Sequence, residues 1–381
     1  MDTKALEEHI RALAMLPETD DPIISCYAAV ENNRVKDPNR FEEQIRALQV
    51  GLKEEARRSF EDALDPVRSF LANRLPTDAK GVAVFSRAGQ APYFLFLRFR
   101  VPLPNWIAVG KLPSIFHLVE LKDTYERYVV MLSTKERVRI FEVNLGELTE
   151  HTCIQASNPR RDVRDKWSKE HYQRHVRESH HRFIKEQIKI LEHLMEAGNH
   201  RHLILAGHPT MTAKVREELP KGLAAKLVEV VKVSEKGPLS GVVQATIKVF
   251  VDAEERASQG VAESLAQQVH AGGLAVIGTK ASFEALRRSQ ADTLVLLGDY
   301  NPGPAWACRA CKYVDLDHRT PEPSTCRSCG ADGIDQLDLK EEMVRLAEQH
   351  YCAVEVVNKS DFLMEAGGIG CLLRYRFEYE N

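Results

Sequence analysis

Leu274-Ala275-Val276-Ile277-Gly278 and Thr293-Leu294-Val295-Leu296-Leu297 bracket a helical stretch, Ser282–Ser289, and this strand-helix-strand run decides the fold class. The alternation resumes with helix Lys340–His350 and strand Cys352–Val357, which predicts a helix-flanked sheet. Between Leu297 and Lys340 lies an insertion that carries two C-x-x-C pairs, Cys308/Cys311 and Cys326/Cys329. Fourteen residues separate the pairs, the spacing of two knuckles that close a tetrahedral thiolate site on Zn²⁺. Gly330 follows the second pair as a turn residue would, and Pro321 and Pro323 suit a loop. Four cysteines fill the shell and leave no open position, so the expected Zn²⁺ is structural. The competing reading is four free buried thiols, and His318 between the pairs reads as a solvated loop histidine. The other cysteines, Cys26, Cys153, Cys352 and Cys371, stand alone.

Upstream, Tyr128-Val129-Val130-Met131-Leu132 and Val138-Arg139-Ile140-Phe141-Glu142-Val143 are β-rich runs joined by Ser133–Arg137, which predicts a hairpin. From about Lys169 to Ala197 apolar residues recur at helical intervals among many basic ones, predicting a long amphipathic helix; strand Leu203–Gly207 and helix Thr210–Leu219 follow. Residues 1–122 read as a first α/β region. It has a helix carrying Leu6, Ile10, Leu13 and Leu16, a strand at Ile23–Tyr27 and helical periodicity from Phe41 to Leu75. Strands at Gly81–Phe85 and Tyr93–Leu97 come next, and then a loop over Pro102–Pro113. Gly367-Gly368-Ile369-Gly370 reads as a turn feeding a last strand, Cys371–Phe377.

The chain has 381 residues, 44% hydrophobic and 28% charged, which is ordinary globular composition and excludes disordered, collagen-like and disulfide-stapled classes. No apolar run approaches the roughly 20 residues that cross a bilayer, and the polar start Met1–His9 lacks a secretory core, so the expected location is the cytoplasm. The net charge of −3 hides a basic middle: Asn158–Lys189 is net +5, whereas Lys312–Glu342 is net −4. Arg160, Arg161, Arg164, Lys166, Trp167, Lys169, Arg174, His175 and Arg177, with Arg182, supply phosphate donors, and Trp167 and Tyr172 supply stacking rings, so this segment is the candidate RNA-binding site. A solvated helix face is the alternative, with Tyr172 in the core. The acidic ribbon is a poor phosphate binder and its surface is expected to meet a protein. No P-loop, G-x-S-x-G or H-E-x-x-H pattern occurs, and no catalytic residue is assigned.

With the hairpin ending Phe141-Glu142-Val143, the basic helix, the ribbon and the ending Gly367-Gly368-Ile369-Gly370-Cys371-Leu372-Leu373-Arg374-Tyr375 in place, the chain resembles the archaeal and eukaryotic class-1 release factor and Pelota superfamily. Within it the resemblance is to the bacterial branch, which includes ribosome hibernation factors. Pro22-Ile23-Ile24-Ser25-Cys26-Tyr27 is similar to the family's opening strand. The resemblance implies a mixed α/β (α+β) chain of three release-factor/Pelota-like domains. These are an N-terminal α/β domain at 1–123, a middle domain at 124–270, and a C-terminal α/β domain at 271–381 with the zinc ribbon at 306–332. It further implies a tRNA-shaped protein in the ribosomal A site, with the middle domain toward the peptidyl transferase centre and the first toward the decoding centre. The third domain would then contact the stalk base or a translational GTPase such as elongation factor Tu.

Release factors place Gly-Gly-Gln before the long helix; the corresponding Ser157–Lys169 contains no glycine. The codon-reading Asn-Ile-Lys-Ser is also missing from the first domain. The expected function is therefore binding without hydrolysis: a ribosome-binding factor of hibernation or rescue type that contacts rRNA at the A site, with neither membrane nor DNA as partner. The rival is a peptidyl-tRNA hydrolase or RNA nuclease with His171 or His175 as general acid/base. A third reading is a stress-response scaffold that kept the fold and lost the ribosome.

Overall fold

In a computed structural model the described residues are 1–50, 54–134, 137–155, 169–233, 238–316 and 323–376. They divide into two compact units, one built from 3–124 with 255–381 and one from 125–254.

In the first unit, Leu6, Ile10 and Leu13 recur at helical spacing and are fully buried, which fixes α1 (Thr3–Ala14). Strand β1 (Ile23–Glu31) turns into β2 (Arg34–Val35) through Asn32 and Asn33, both with positive φ as a tight hairpin demands. Helices α2 (Pro38–Val50) and α3 (Glu54–Asn73) follow, then β3 (Gly81–Arg87), β4 (Tyr93–Phe99) and β5 (Trp106–Gly110). β1 lies between β3 and β5, antiparallel to both, and β3 carries β4. Phe41, Ile45, Phe60, Leu64, Val67 and Phe70 of the helices pack on Ile24, Cys26, Ala28, Val82, Val84 and Ile107 of the sheet. β5 corrects the loop expected over Pro102–Pro113. Ile107 is buried opposite Cys26, so pairing along β1 imposes a strand that proline-rich flanks conceal. α4 (Phe116–Thr124) closes this segment.

The second unit opens with β6 (Tyr128–Ser133) and β7 (Arg137–Asn144), the expected antiparallel pair. β8 (Glu147–Gln155) adds the edge, α5 (Lys169–Ala197) crosses over, and β9 (Leu203–Gly207) pairs parallel to β6. Short helices α6 (Pro209–Glu218) and α7 (Lys221–Ala224) lead to β10 (Leu227–Lys232), giving the order β10-β9-β6-β7-β8. β6 is a continuous apolar run because both its faces are covered. Val129 and Met131 meet Ile184, Ile188, Leu191 and Met195 of α5, while Tyr128, Val130 and Leu132 meet Val242, Val243 and Phe250 of α8 (Leu239–His270). The Tyr128 ring stacks on Phe250 at 4.4 Å and its hydroxyl donates to Thr246. Gly207 has φ +142°, and a Cβ there would lie 2.1 Å from the carbonyl oxygen of Ser133, so only glycine lets β9 end against β6.

The C-terminal segment of the first unit carries β11 (Ala275–Ile277), α9 (Thr279–Arg287) and β12 (Ala291–Leu297), the strand-helix-strand run of the sequence. An inserted three-stranded sheet, β13 (Pro304–Cys308), β14 (Val314–Asp315) and β15 (Ile334–Asp338), runs in the order β14-β13-β15. Then come α10 (Leu339–Gln349), β16 (Ala353–Val357), α11 (Asp361–Glu365) and β17 (Ile369–Leu373). The main sheet is ordered β11-β17-β12-β16, with β12 and β16 parallel and β17 antiparallel to its neighbours. The last strand thus begins at Ile369 rather than Cys371, because Gly367 and Gly368 (φ +87° and +82°) complete the turn earlier. It stops at Leu373, short of the expected Phe377.

Candidate functional site

The two C-x-x-C knuckles fold alike. The N–H of Cys308 donates to the carbonyl of Tyr313 and that of Lys312 to the carbonyl of Cys308; Cys326 and Ala331, then Gly330 and Cys326, repeat the pattern. The fifth residue of each knuckle, Lys312 (φ +57°) and Gly330 (φ +75°), is left-handed, which closes each turn tightly enough to aim both sulfurs one way. Cys308 and Cys326 are buried, Cys311 and Cys329 exposed.

The four ligand sulfurs lie within 4.8 Å of one another, with Cys308–Cys329 at 3.7 Å and Cys311–Cys326 at 3.6 Å. These separations are too long for disulfides, in which the sulfurs stand about 2.05 Å apart. They fit the edge of a tetrahedron, about 3.8 Å for metal–sulfur bonds of about 2.3 Å. Backbone N–H groups of Cys329 and Ser328 donate toward the Cys326 thiol and lower its pKa, which favours the thiolate form that binds metal. This is the group of metal-ligating side chains found among the described residues, and the cluster can hold a metal ion. His318 lies outside the described residues.

The ribbon surface, expected to meet a protein partner, is tied in part to this chain's own N-terminal segment. The Arg309 guanidinium, inside the first knuckle, donates two bonds to the Asp335 carboxylate on β15, at 2.7 and 2.5 Å. The same carboxylate accepts from Nζ of Lys111, just after β5, at 2.8 Å. Arg309 first and then Lys111 hold the Asp335 carboxyl down to about 2. Glu18 adds longer pairs to Lys111 (4.0 Å) and Lys312 (3.7 Å).

β15 runs directly into α10, whose N-cap Asp338 accepts from the N–H of Glu341. The Glu341 carboxylate in turn accepts from the N–H groups of Ile115 (2.7 Å) and Phe116 (3.1 Å), so a C-terminal side chain caps α4 of the N-terminal segment. Lys340 stands 3.5 Å over the Phe116 ring and donates to the carbonyl of Gly298. Lys122 pairs with Glu348 at 2.8 Å, and Gln349 donates to the carbonyl of Ala14. Sequence reasoning missed this seam, since no local pattern marks pairs more than 200 residues apart.

In the second unit, His200 is buried, 3% exposed, with Nε2 3.5 Å from Glu142, and burial lowers its pKa. His202 stands 3.1 Å from Glu126 and 3.9 Å from Glu254. Of the candidate RNA contacts, Arg160, Arg161, Arg164, Lys166 and Trp167 lie outside the described residues. Lys169, Arg174, His175 and Arg177 belong to α5, with side chains that are not described, as is the case for His171. Arg182, further along the same helix, is exposed. Among the described residues no helix is long and apolar enough to cross a membrane.

Residues 113–250 match the family model of bacterial archaeo-eukaryotic release factor family 10. No curated protein matches the chain. Among solved structures, the archaeal translation termination factor aRF1 is 17% identical, with 98% of this chain and 99% of that one covered and a TM-score of 0.27. Archaeoglobus fulgidus Pelota is 12% identical over 97% and 92% of the two chains, with a TM-score of 0.39. Dom34 of S. cerevisiae is 9% identical over 98% and 93%, with a TM-score of 0.40.

Proposed function

We propose that the chain, whose residues 113–250 match bacterial archaeo-eukaryotic release factor family 10, is a ribosome-binding translation factor of the release factor and Pelota type that occupies the A site without hydrolysing peptidyl-tRNA. One observation carries the non-hydrolytic part: residues 157–169, which lead into α5 where release factors have Gly-Gly-Gln, contain no glycine. A loop without that triplet lacks the backbone that would place an attacking water, but its arginines and Trp167 suit phosphate contact and stacking. The role is hibernation or rescue, as in the branch that includes the hibernation factor Balon, and it is exercised in the cytoplasm. The RNA contacts are Arg160, Arg161, Arg164, Lys166, Trp167, Lys169, Arg174, His175 and Arg177. The three domains fall at 1–123, 124–270 and 271–381, and elongation factor Tu or another translational GTPase is the partner of delivery. The metal is Zn²⁺, held structurally by Cys308, Cys311, Cys326 and Cys329; the sulfur separations support it.

Co-sedimentation with vacant and translating bacterial ribosomes across a salt series tests this reading. Saturable binding that is lost when the A site is filled is expected. The Arg160→Ala/Arg161→Ala variant should bind more weakly and flatten the salt slope by about 1 to 2. Peptidyl-tRNA cleavage by the wild-type protein, abolished in His171→Ala, would replace the proposal with the hydrolase.

A further inference from the structure

The ribbon has almost no apolar interior. Among the described residues of 304–338 the buried side chains are Ala305, Cys308, Asp315 and Cys326, and two of these four are metal-ligating cysteines. A module this small takes its folding energy from the ion that joins its knuckles. What the first knuckle fixes is also specific. Arg309 and Lys312 lie in or directly after it, the N–H of Arg309 donates to the carbonyl of Gly333, and the Arg309 guanidinium grips both oxygens of Asp335. Asp335 is the residue that holds Lys111, and β15 continues without a break into α10, whose Glu341 caps α4.

We propose that the ribbon is a metal-dependent latch. The ion sets the first knuckle, the knuckle sets the Arg309–Asp335 pair, and that pair with α10 seats the N-terminal segment on the C-terminal one within their common unit. Removing the metal therefore loosens residues more than 180 positions away in sequence, around Lys111 and the start of α4. The inference does not depend on the ribosome reading. It holds or fails on the isolated protein.

The experiment is hydrogen–deuterium exchange on the full chain, zinc-loaded, chelator-stripped and re-supplied with Zn²⁺, following peptides that span 108–124, 304–316 and 323–338. Stripping is expected to speed exchange in 323–338, and by on the order of tenfold at the Ile115 and Phe116 amides, with recovery on adding Zn²⁺. In Arg309→Ala, with its zinc content measured and unchanged, the 108–124 peptide should exchange faster while the knuckles stay protected. Faster exchange confined to 304–338 overturns the latch, as does full protection of 108–124 in Arg309→Ala or a purified protein that neither holds nor takes up metal. If stripping unfolds the whole chain, the Arg309→Ala comparison decides alone.

Discussion

Replacing Glu341 by Gln is expected to stabilise the first unit at alkaline pH, although it removes a charge from a helix N-terminus. Burial, and then the neighbouring Asp338, push the Glu341 carboxyl up to about 8, against opposing help from the Ile115 and Phe116 N–H groups and from Lys340. The Tyr27 hydroxyl also faces it, and Glu120 lies near Lys340. Because the folded-state value is raised, the folded chain holds this proton more tightly than the unfolded one. Stability from this group is therefore fully present below about 4.5 and is lost as pH rises toward 8. The rise corresponds to about 5 kcal/mol at most, at roughly 1.4 kcal/mol per pH unit. The side chain is only partly shielded by surface area, so a loss of about 2 kcal/mol is the working figure. Gln keeps a carbonyl oxygen for the two α4 N–H groups and has nothing to ionise. Urea unfolding of wild-type and Glu341→Gln protein between pH 5 and 9 should give lines that lie close together near pH 5, diverge steadily from there to about 8 and run parallel above it, with the variant the more stable. A variant weaker than wild type at pH 8 would refute the reasoning and make the ionised carboxylate the true cap.

Gly207→Ala should cost about 3 kcal/mol or more in denaturant unfolding, since its new Cβ meets a backbone oxygen in an unfavourable backbone region; a loss under about 1 kcal/mol would mean that β9 does not end against Ser133. His200 has a lowered folded-state pKa, so the stability it contributes is present above its ordinary value of 6.5 and is lost as pH falls below it. The groups around it are Glu142, Arg127, His151 and Lys226. The unfolding free energy of the protein should fall by at most about 1.4 kcal/mol per pH unit below 6.5 through this group, and His200→Gln should flatten that slope.

Elements whose burial repeats along the chain were legible in the sequence. β6 and β7 are apolar on both faces, and α1 spaces its leucines and isoleucine for one face. The metal cluster was legible because two turns, each set by four or five residues, aim all the sulfurs, and spacing alone records that. β8 was hidden, since Glu147-Leu148-Thr149-Glu150 is polar and owes its strand to the edge of β7. α8 was hidden for a different reason. Val242, Val243, Thr246, Ile247, Val249 and Val251 are poor helix formers, and Gly241 and Gly260 poorer still, so packing against Tyr128, Phe141 and Ile204 overrides propensity over its first half. The seam at Glu341 could not be read at all, because a carboxylate that caps a helix 226 positions away looks like any first-turn acidic residue of its own helix.

The discontinuity of the first unit has a consequence for the chain while it is being synthesised. Ile115 leaves the peptidyl transferase centre 226 residues before Glu341, an interval on the order of 10 to 50 s at usual elongation rates. Throughout it the start of α4 lacks its cap, and Lys111 lacks Asp335 for nearly all of it, whereas residues 125–254 have every strand of their own sheet once Lys232 is added, 109 residues before Glu341. The middle unit can thus mature first, and the opening 124 residues wait for the last quarter of the polypeptide. A product truncated between about residue 255 and Asp335 would keep one folded unit and present the other as an unfinished surface, a mark by which quality-control proteases can tell incomplete copies from whole ones.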